Sequence, residues 1–233
     1  MSGRCFAAAT TLAAATTLAL VAAAAAIPAT PEPRQRLHPL VSCESLAAVS
    51  LGANTSILSA TTNNTAHAPH HGFRRLEEEG GGDGNTTYCL VKVLVQPAIN
   101  IWVGLPADGS YNGNFQALGG GGYAGTVASP IKAVVQGYVG TETDTGHNKA
   151  EVDAGGGSFG MLPDGSGPDV LLQEDFAYLS EHMMAVVAKQ LIVALYGKPP
   201  TYSLWNGCST GGRQGLMMAQ RYPVSAIATK LLI

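Results

Sequence analysis

Gly207-Cys208-Ser209-Thr210-Gly211 is a G-x-S-x-G pentapeptide between a strand-like run, Tyr202 to Asn206, and a helix-like run, Gly211 to Gln220. A serine at such a junction, with small residues on both sides, predicts a sharp strand-to-helix elbow that exposes its hydroxyl. An elbow of this kind needs a sheet behind it and a helix packed onto that sheet, so the motif points to an α/β domain. The upstream sequence agrees. Tyr88–Val95 and Ile99–Leu105 are β-branched runs bounded by Pro97 and Pro106. Asn112-Gly113 marks a turn, Asn114–Leu118 reads as a strand running into Gly119–Gly122, and Lys132–Val139 reads as another. Thr141–Gly167 reads as a Gly- and Asp-rich loop region. Phe176, Leu179, Met183, Val187, Leu191 and Leu195 recur at three- and four-residue steps and predict a helix. Gly197 can end that helix in the left-handed conformation, and Pro199-Pro200 prevents its continuation. Met183-Met184 reads as core packing.

The ends and the charge balance bound where such a chain works. Its 233 residues suffice for one α/β domain with a real core. Only 12% are charged, the net charge is -3 and there is no basic run, which argues against a nucleic-acid partner. Residues 1–26 read as a secretory signal peptide. Arg4 supplies the positive end, Leu12–Ala26 the apolar stretch, and Ala24-Ala25-Ala26 an A-x-A cleavage pattern. A membrane anchor is the weaker reading, because the run is short and mostly Ala and Thr. The expected location is extracellular, without a membrane partner. Residues 27–87 then form a lead-in, with sequons at Asn54, Asn63 and Asn85 as candidate glycosylation sites, and 88–233 the catalytic portion. Glu77–Gly84 reads as a solvated, flexible insertion. Cys5 leaves with the signal, so Cys43, Cys89 and Cys208 are an odd number of thiols in an oxidising compartment.

A serine hydroxyl attacks a carbonyl only with a base to take its proton and donors for the developing oxyanion. The Thr210 N–H is placed to be one donor. The second is expected from the glycine run Gly119–Gly122, with Gly121 as the candidate within it. Asp144 and His147, three residues apart, make a dyad on paper, although loop structure is the favoured role. His67, His70 and His71 resemble a weak metal cluster but read as solvated, and no metal site is expected. His182 reads as a surface or packing residue. Arg213 and Gln214 have either a structural role in the first helical turn or a substrate contact.

The run Gly207 to Gly215 with Ala219-Gln220-Arg221-Tyr222-Pro223 resembles the tannase and feruloyl esterase family. Asn112–Phe115 leading to Gly119–Gly122, Thr143–His147, Asp175–Tyr178 and Cys43–Leu46 are similar to its other segments. The resemblance implies a secreted serine esterase with an α/β-hydrolase fold and a large inserted lid. Its substrates would be phenolic acid esters, feruloyl or galloyl. It implies a triad in the order Ser, Asp, His, with Ser209 as nucleophile. It also implies a disulfide from Cys208 to a cysteine beside the catalytic histidine, and a calcium site in the lid. The 233 residues contain no Asp, Glu, His or Cys after Ser209. The expected architecture is therefore an α/β-hydrolase-like sheet truncated after the nucleophile elbow, with the lid domain absent. Cys43 would pair with Cys89, Cys208 would lack a partner, no cofactor would be held, and activity would be lost. On this expectation the apolar face of the 176–195 helix is partly uncovered. The alternative is a secreted, non-catalytic binding module on the same scaffold.

Overall fold

A computed structural model describes residues 36–65, 85–125, 127, 129–147 and 157–223. The signal segment, His67, His70, His71, the Glu77–Gly84 insertion and Val224–Ile233 lie outside the described residues. Six strands form one mixed sheet: β1 (Thr55–Asn64), β2 (Thr87–Val95), β3 (Ile99–Pro106), β4 (Asn114–Leu118), β5 (Val139–Thr143) and β6 (Tyr202–Asn206). Their spatial order is β1-β2-β3-β5-β4-β6. The pairs β1–β2, β2–β3 and β3–β5 are antiparallel, whereas β5, β4 and β6 run parallel. The parallel strands share one carboxyl edge, where loops gather and ligands bind in open α/β sheets.

The sheet extends into the lead-in segment. β1 pairs with β2 along its length, and Asn63 sits opposite Tyr88 within that ladder. Cys43 and Cys89 form a disulfide that ties the 3-10 turn Glu44–Ala48 to β2.

Lys132–Val139 is not a strand. Pro130 opens a short helix, α1 (Ile131–Val134), Gly137 turns the chain at φ 79°, and the strand begins only at Val139. Periodicity cannot separate a short buried helix from a strand in so brief an apolar run. Tertiary fit decides it. Gly104 and Gly140 are register partners on β3 and β5, and they leave the room that α1 fills. A Cβ on Gly140 would lie 2.6 Å from the Pro130 carbonyl oxygen, and one on Gly104 2.8 Å from Val134. Thr141–Thr143, placed by composition in a loop region, belong to β5.

The other face of the sheet carries the main helical run. α2 (Val170–Glu174) is capped by Asp169, whose Oδ1 accepts the Leu172 N–H. A π-helical turn over Asp175–Leu179 leads into α3 (Ser180–Tyr196), which ends at Gly197 with φ 76°. Met184, Val187, Ala188, Leu191, Ile192 and Leu195 are buried in one core with Ile99, Ile101, Val103 and Leu105, the alternate residues of β3. β3, β4 and β5 cover the C-terminal part of the stripe, where Val187, Leu191 and Leu195 have no exposure, whereas Phe176, Leu179 and Met183 at its start are only partly buried, so the partly uncovered face is confined to that end. α4 (Thr210–Arg221) follows β6 and inserts Met218 into the same core. No helix among the described residues is long and apolar enough to cross a membrane.

Candidate active site

The elbow lies where β6 passes into α4. Ser209 is exposed and adopts φ 57°, ψ -121°, a conformation that side chains other than glycine adopt only under strain. Gly207 is sterically required, and Gly211 is tightly placed, since a Cβ there would lie 3.0 Å from the Gly120 carbonyl oxygen. A Cβ on Gly207 would approach the Gly211 carbonyl at 2.7 Å and the Trp205 indole nitrogen at 2.8 Å. Trp205 Nε1 donates to the Gly211 carbonyl at 2.7 Å, which locks strand end to helix start.

Gly211 also touches the glycine loop after β4. A Cβ on Gly119 would lie 2.6 Å from the Gly211 Cα, so the two backbones approach as only glycines allow. Three bonds then fix the loop. The Gly119 N–H donates to the Asn206 carbonyl at 2.9 Å, the Gly120 N–H to Gln214 Oε1 at 3.0 Å, and Thr210 Oγ1 to the Gly122 carbonyl at 2.5 Å. Gly121 stands exposed between these anchors, and nothing lies within 4 Å of where its Cβ would be. Among the described residues no hydrogen bond uses the N–H of Gly121 or of Thr210. One of these amides directly follows Ser209, and the other lies in the loop that Thr210 and Gly211 hold.

Arg213 and Gln214 both face inward. The Arg213 guanidinium donates to the Ala177 and Phe176 carbonyls, at 3.0 Å each, and lies over the Phe176 ring. The Gln214 amide is buried and donates through Nε2 to Glu181 Oε1. Glu181 has no exposure, and burial pushes its carboxyl up to about 7. Ser180 Oγ lies 3.0 Å from Glu181 Oε2 and 2.7 Å from the Asp175 carbonyl. A hydroxyl has one proton to give. Both contacts are satisfied together when neutral Glu181 donates to Ser180 Oγ and Ser180 donates to the carbonyl. The sequence signal was available: Glu181 occupies the same helix stripe as Met184, Ala188, Leu191 and Leu195, a polar residue at a core position.

Asp144 and His147 are close in sequence but do not form a dyad. Asp144 Oδ1 accepts from the Asn100 and Gly146 N–H groups, at 2.9 and 3.0 Å, and Oδ2 accepts from Asn100 Nδ2 at 2.7 Å. His147 is buried, stacks on Phe159 at 3.8 Å, and turns Nδ1 toward Thr145 Oγ1 at 3.2 Å. Burial pushes its pKa down. Asp175, also buried, is pushed up to about 6, by burial first and then by the charge of Asp144 and its acidic neighbours. His182 stacks on Tyr222 at 4.0 Å, a packing role. Cys208 is an exposed free thiol. Among the described residues no group of three His, Cys, Asp or Glu could hold a metal ion. Asn54 and Asn85 are exposed, whereas Asn63 lies within β1 and its amide donates to Thr61.

The model of the family described as "Tannase and feruloyl esterase" matches residues 86–226. The protein named "Probable feruloyl esterase" from Arthroderma benhamiae is 38% identical over 141 residues, covering 60% of this chain and 25% of that protein. In crystal structures, feruloyl esterase B from Aspergillus oryzae superposes with a TM-score of 0.62 at 26% identity, over 78% of this chain and 34% of that one. Tannin acyl hydrolase from Aspergillus niger is similar in fold, with a TM-score of 0.58 at 21% identity over 85% of this chain and 35% of that one. The chain thus spans about a quarter of the length of the curated relatives it matches.

Proposed function

This chain belongs to the tannase and feruloyl esterase family, and on that premise we propose that it serves a secreted carboxylic ester hydrolase acting on phenolic acid esters, with Ser209 as nucleophile. The observation that carries this reading is the strained Ser209 backbone at a β6–α4 elbow, held against the Gly119–Gly122 loop. Ser209 Oγ would attack the ester carbonyl carbon. The carbonyl oxygen would gain charge and accept from the Gly121 and Thr210 N–H groups, each worth about 3 to 4 kcal/mol in the transition state. Collapse would expel the alcohol and leave an acyl-serine for water to hydrolyse.

Proton transfer limits the chain taken alone. Asp144 is committed to Asn100 and Gly146, and His147 is buried in the loop after β5 with Nδ1 on Thr145, so neither is offered to the Ser209 hydroxyl. Without a base, turnover is expected to fall by about 10⁶ from that of a complete triad. The oxyanion donors alone should retain roughly 10³ to 10⁴ over water.

The test is a fluorophosphonate probe on the 233-residue chain, with methyl ferulate as substrate. Slow labelling at Ser209, above that of the denatured chain and absent in Ser209→Ala, is the expected result, with ester hydrolysis near background. Rapid hydrolysis that disappears in Ser209→Ala would overturn the low-activity expectation. No labelling, together with saturable ferulate binding, would favour the second reading, a secreted binding module on this scaffold. The engagement of Asp144 and His147 elsewhere is what keeps that reading in play.

A further inference from the structure

The strongest unassigned arrangement is the buried chain of side chains behind the glycine loop. Gln214 is 1% exposed and sits one turn after Ser209 on α4. Its carboxamide faces two ways: Oε1 receives the Gly120 N–H, and Nε2 gives to Glu181 on α3. We propose that Gln214 is a positioning residue for ester hydrolysis, orienting the Gly119–Gly122 loop through Gly120 so that the Gly121 N–H is left aimed beside Ser209. This rests on the reading of Ser209 as nucleophile.

Gly119 is anchored to Asn206 and packed against Gly211, the Gly121 carbonyl accepts the Ala124 N–H at 2.9 Å, and Gly122 is anchored to Thr210, which leaves the Gly119–Gly120 and Gly120–Gly121 peptides without a backbone bond of their own. Glycines do not resist rotation of these peptides, and a Cβ at Gly121 or Gly122 would meet nothing within 4 Å. The Gln214 bond is the one that fixes the Gly120 peptide. It also occupies the Gly120 donor, so that Gly121 is the next amide able to serve an oxyanion. Glu181 and Ser180 fix the orientation of the amide in turn: a flipped carboxamide would set its NH₂ against the Gly120 N–H. An oxyanion donor must stand within a few tenths of an ångström of its place, and a buried, doubly bonded side chain supplies that precision where a glycine loop cannot.

The experiment is amide hydrogen exchange on the ¹⁵N-labelled 233-residue chain, combined with the rate of fluorophosphonate labelling at Ser209. In Gln214→Leu the Gly120 amide should exchange about tenfold faster, the loss of one buried hydrogen bond, while Gln116 in β4 and Thr141 in β5 keep their protection. Gln214→Asn, too short to reach both partners, should do the same and serves if the leucine variant unfolds. Gln214→Glu in its neutral carboxylic-acid form, assayed at about pH 5, keeps a C=O acceptor for Gly120 and an O–H donor for Glu181 Oε1, and should restore both protection and labelling. Labelling should slow by roughly 10- to 100-fold in the first two variants, as expected for a displaced oxyanion donor. Unchanged Gly120 exchange in folded Gln214→Leu or Gln214→Asn overturns the proposal. So does altered exchange with wild-type labelling. If Ser209 of the wild-type chain never labels while Gly120 still responds, the nucleophile reading fails and the assignment of Gln214 to the loop stands.

Discussion

Ser209 and its neighbouring glycines show how much a single backbone position decides. A serine held at φ 57°, ψ -121° stores about 1 to 3 kcal/mol of strain. Glycine carries no such penalty, so Ser209→Gly is expected to raise the melting temperature while removing all phosphonate labelling. A lower melting temperature would mean that the serine conformation is not strained. At Gly119 the sign is opposite. A methyl group there would meet the Gly211 Cα at 2.6 Å, and backbone cannot rotate aside as a side chain can. Gly119→Ala is expected to cost about 1 to 3 kcal/mol in a urea titration and to loosen the loop. The elbow was legible in the sequence because its residue types are the ones its geometry requires. The contact of Gly119 with Gly211 was not, because 92 positions separate two residues that meet only once β4 and β6 lie side by side.

At the scale of elements, α3 and the disulfide carry testable weight. Leu191 is fully buried against the sheet, and Leu191→Ala is expected to destabilise by about 2 to 5 kcal/mol, read from the shift in denaturant midpoint. The disulfide between Cys43 and Cys89 spans 46 positions. Its reduction should cost at most about 4 kcal/mol by the chain-entropy argument, with the largest loss of protection in β1 and the Glu44–Ala48 turn. The helix α3 and strands β2, β3, β4 and β6 were readable, since each has a period or flanking breakers of its own. α1 was not. Its few residues carry the same β-branched character as a strand, and only the space above Gly104 and Gly140 selects the helix.

For the whole molecule, the buried carboxyls set a pH dependence. Glu181 titrates at about 7 in the folded chain, against 4.5 as its ordinary value. Between those values the folded state holds a proton that the unfolded state has released, so folding stability falls as pH rises, and the slope ends above about 7. Asp175, raised to about 6, acts in the same direction. His147 and His182, both lowered by burial, act oppositely: protonation of the unfolded chain below about 6.5 draws stability away as pH falls. Glu181→Gln separates these contributions. From pH 5 to pH 8 the wild-type chain is expected to lose stability relative to Glu181→Gln, measured by paired urea titrations. A constant difference would mean that Glu181 is not protonated in the fold.

The sequence by itself determined the strand-elbow-helix motif, the glycine loop that serves it and the family resemblance, because each is encoded in residue types at short spacing. Tertiary structure alone decided which loop amides remain free, which partners Asp144 and His147 take in the loop after β5, and that Gln214 and Glu181 stand behind the Gly119–Gly122 loop. Those are questions of which buried polar group finds which partner. Water competes for every such group until the sheet and α3 close over it, so the answer exists only in the folded chain.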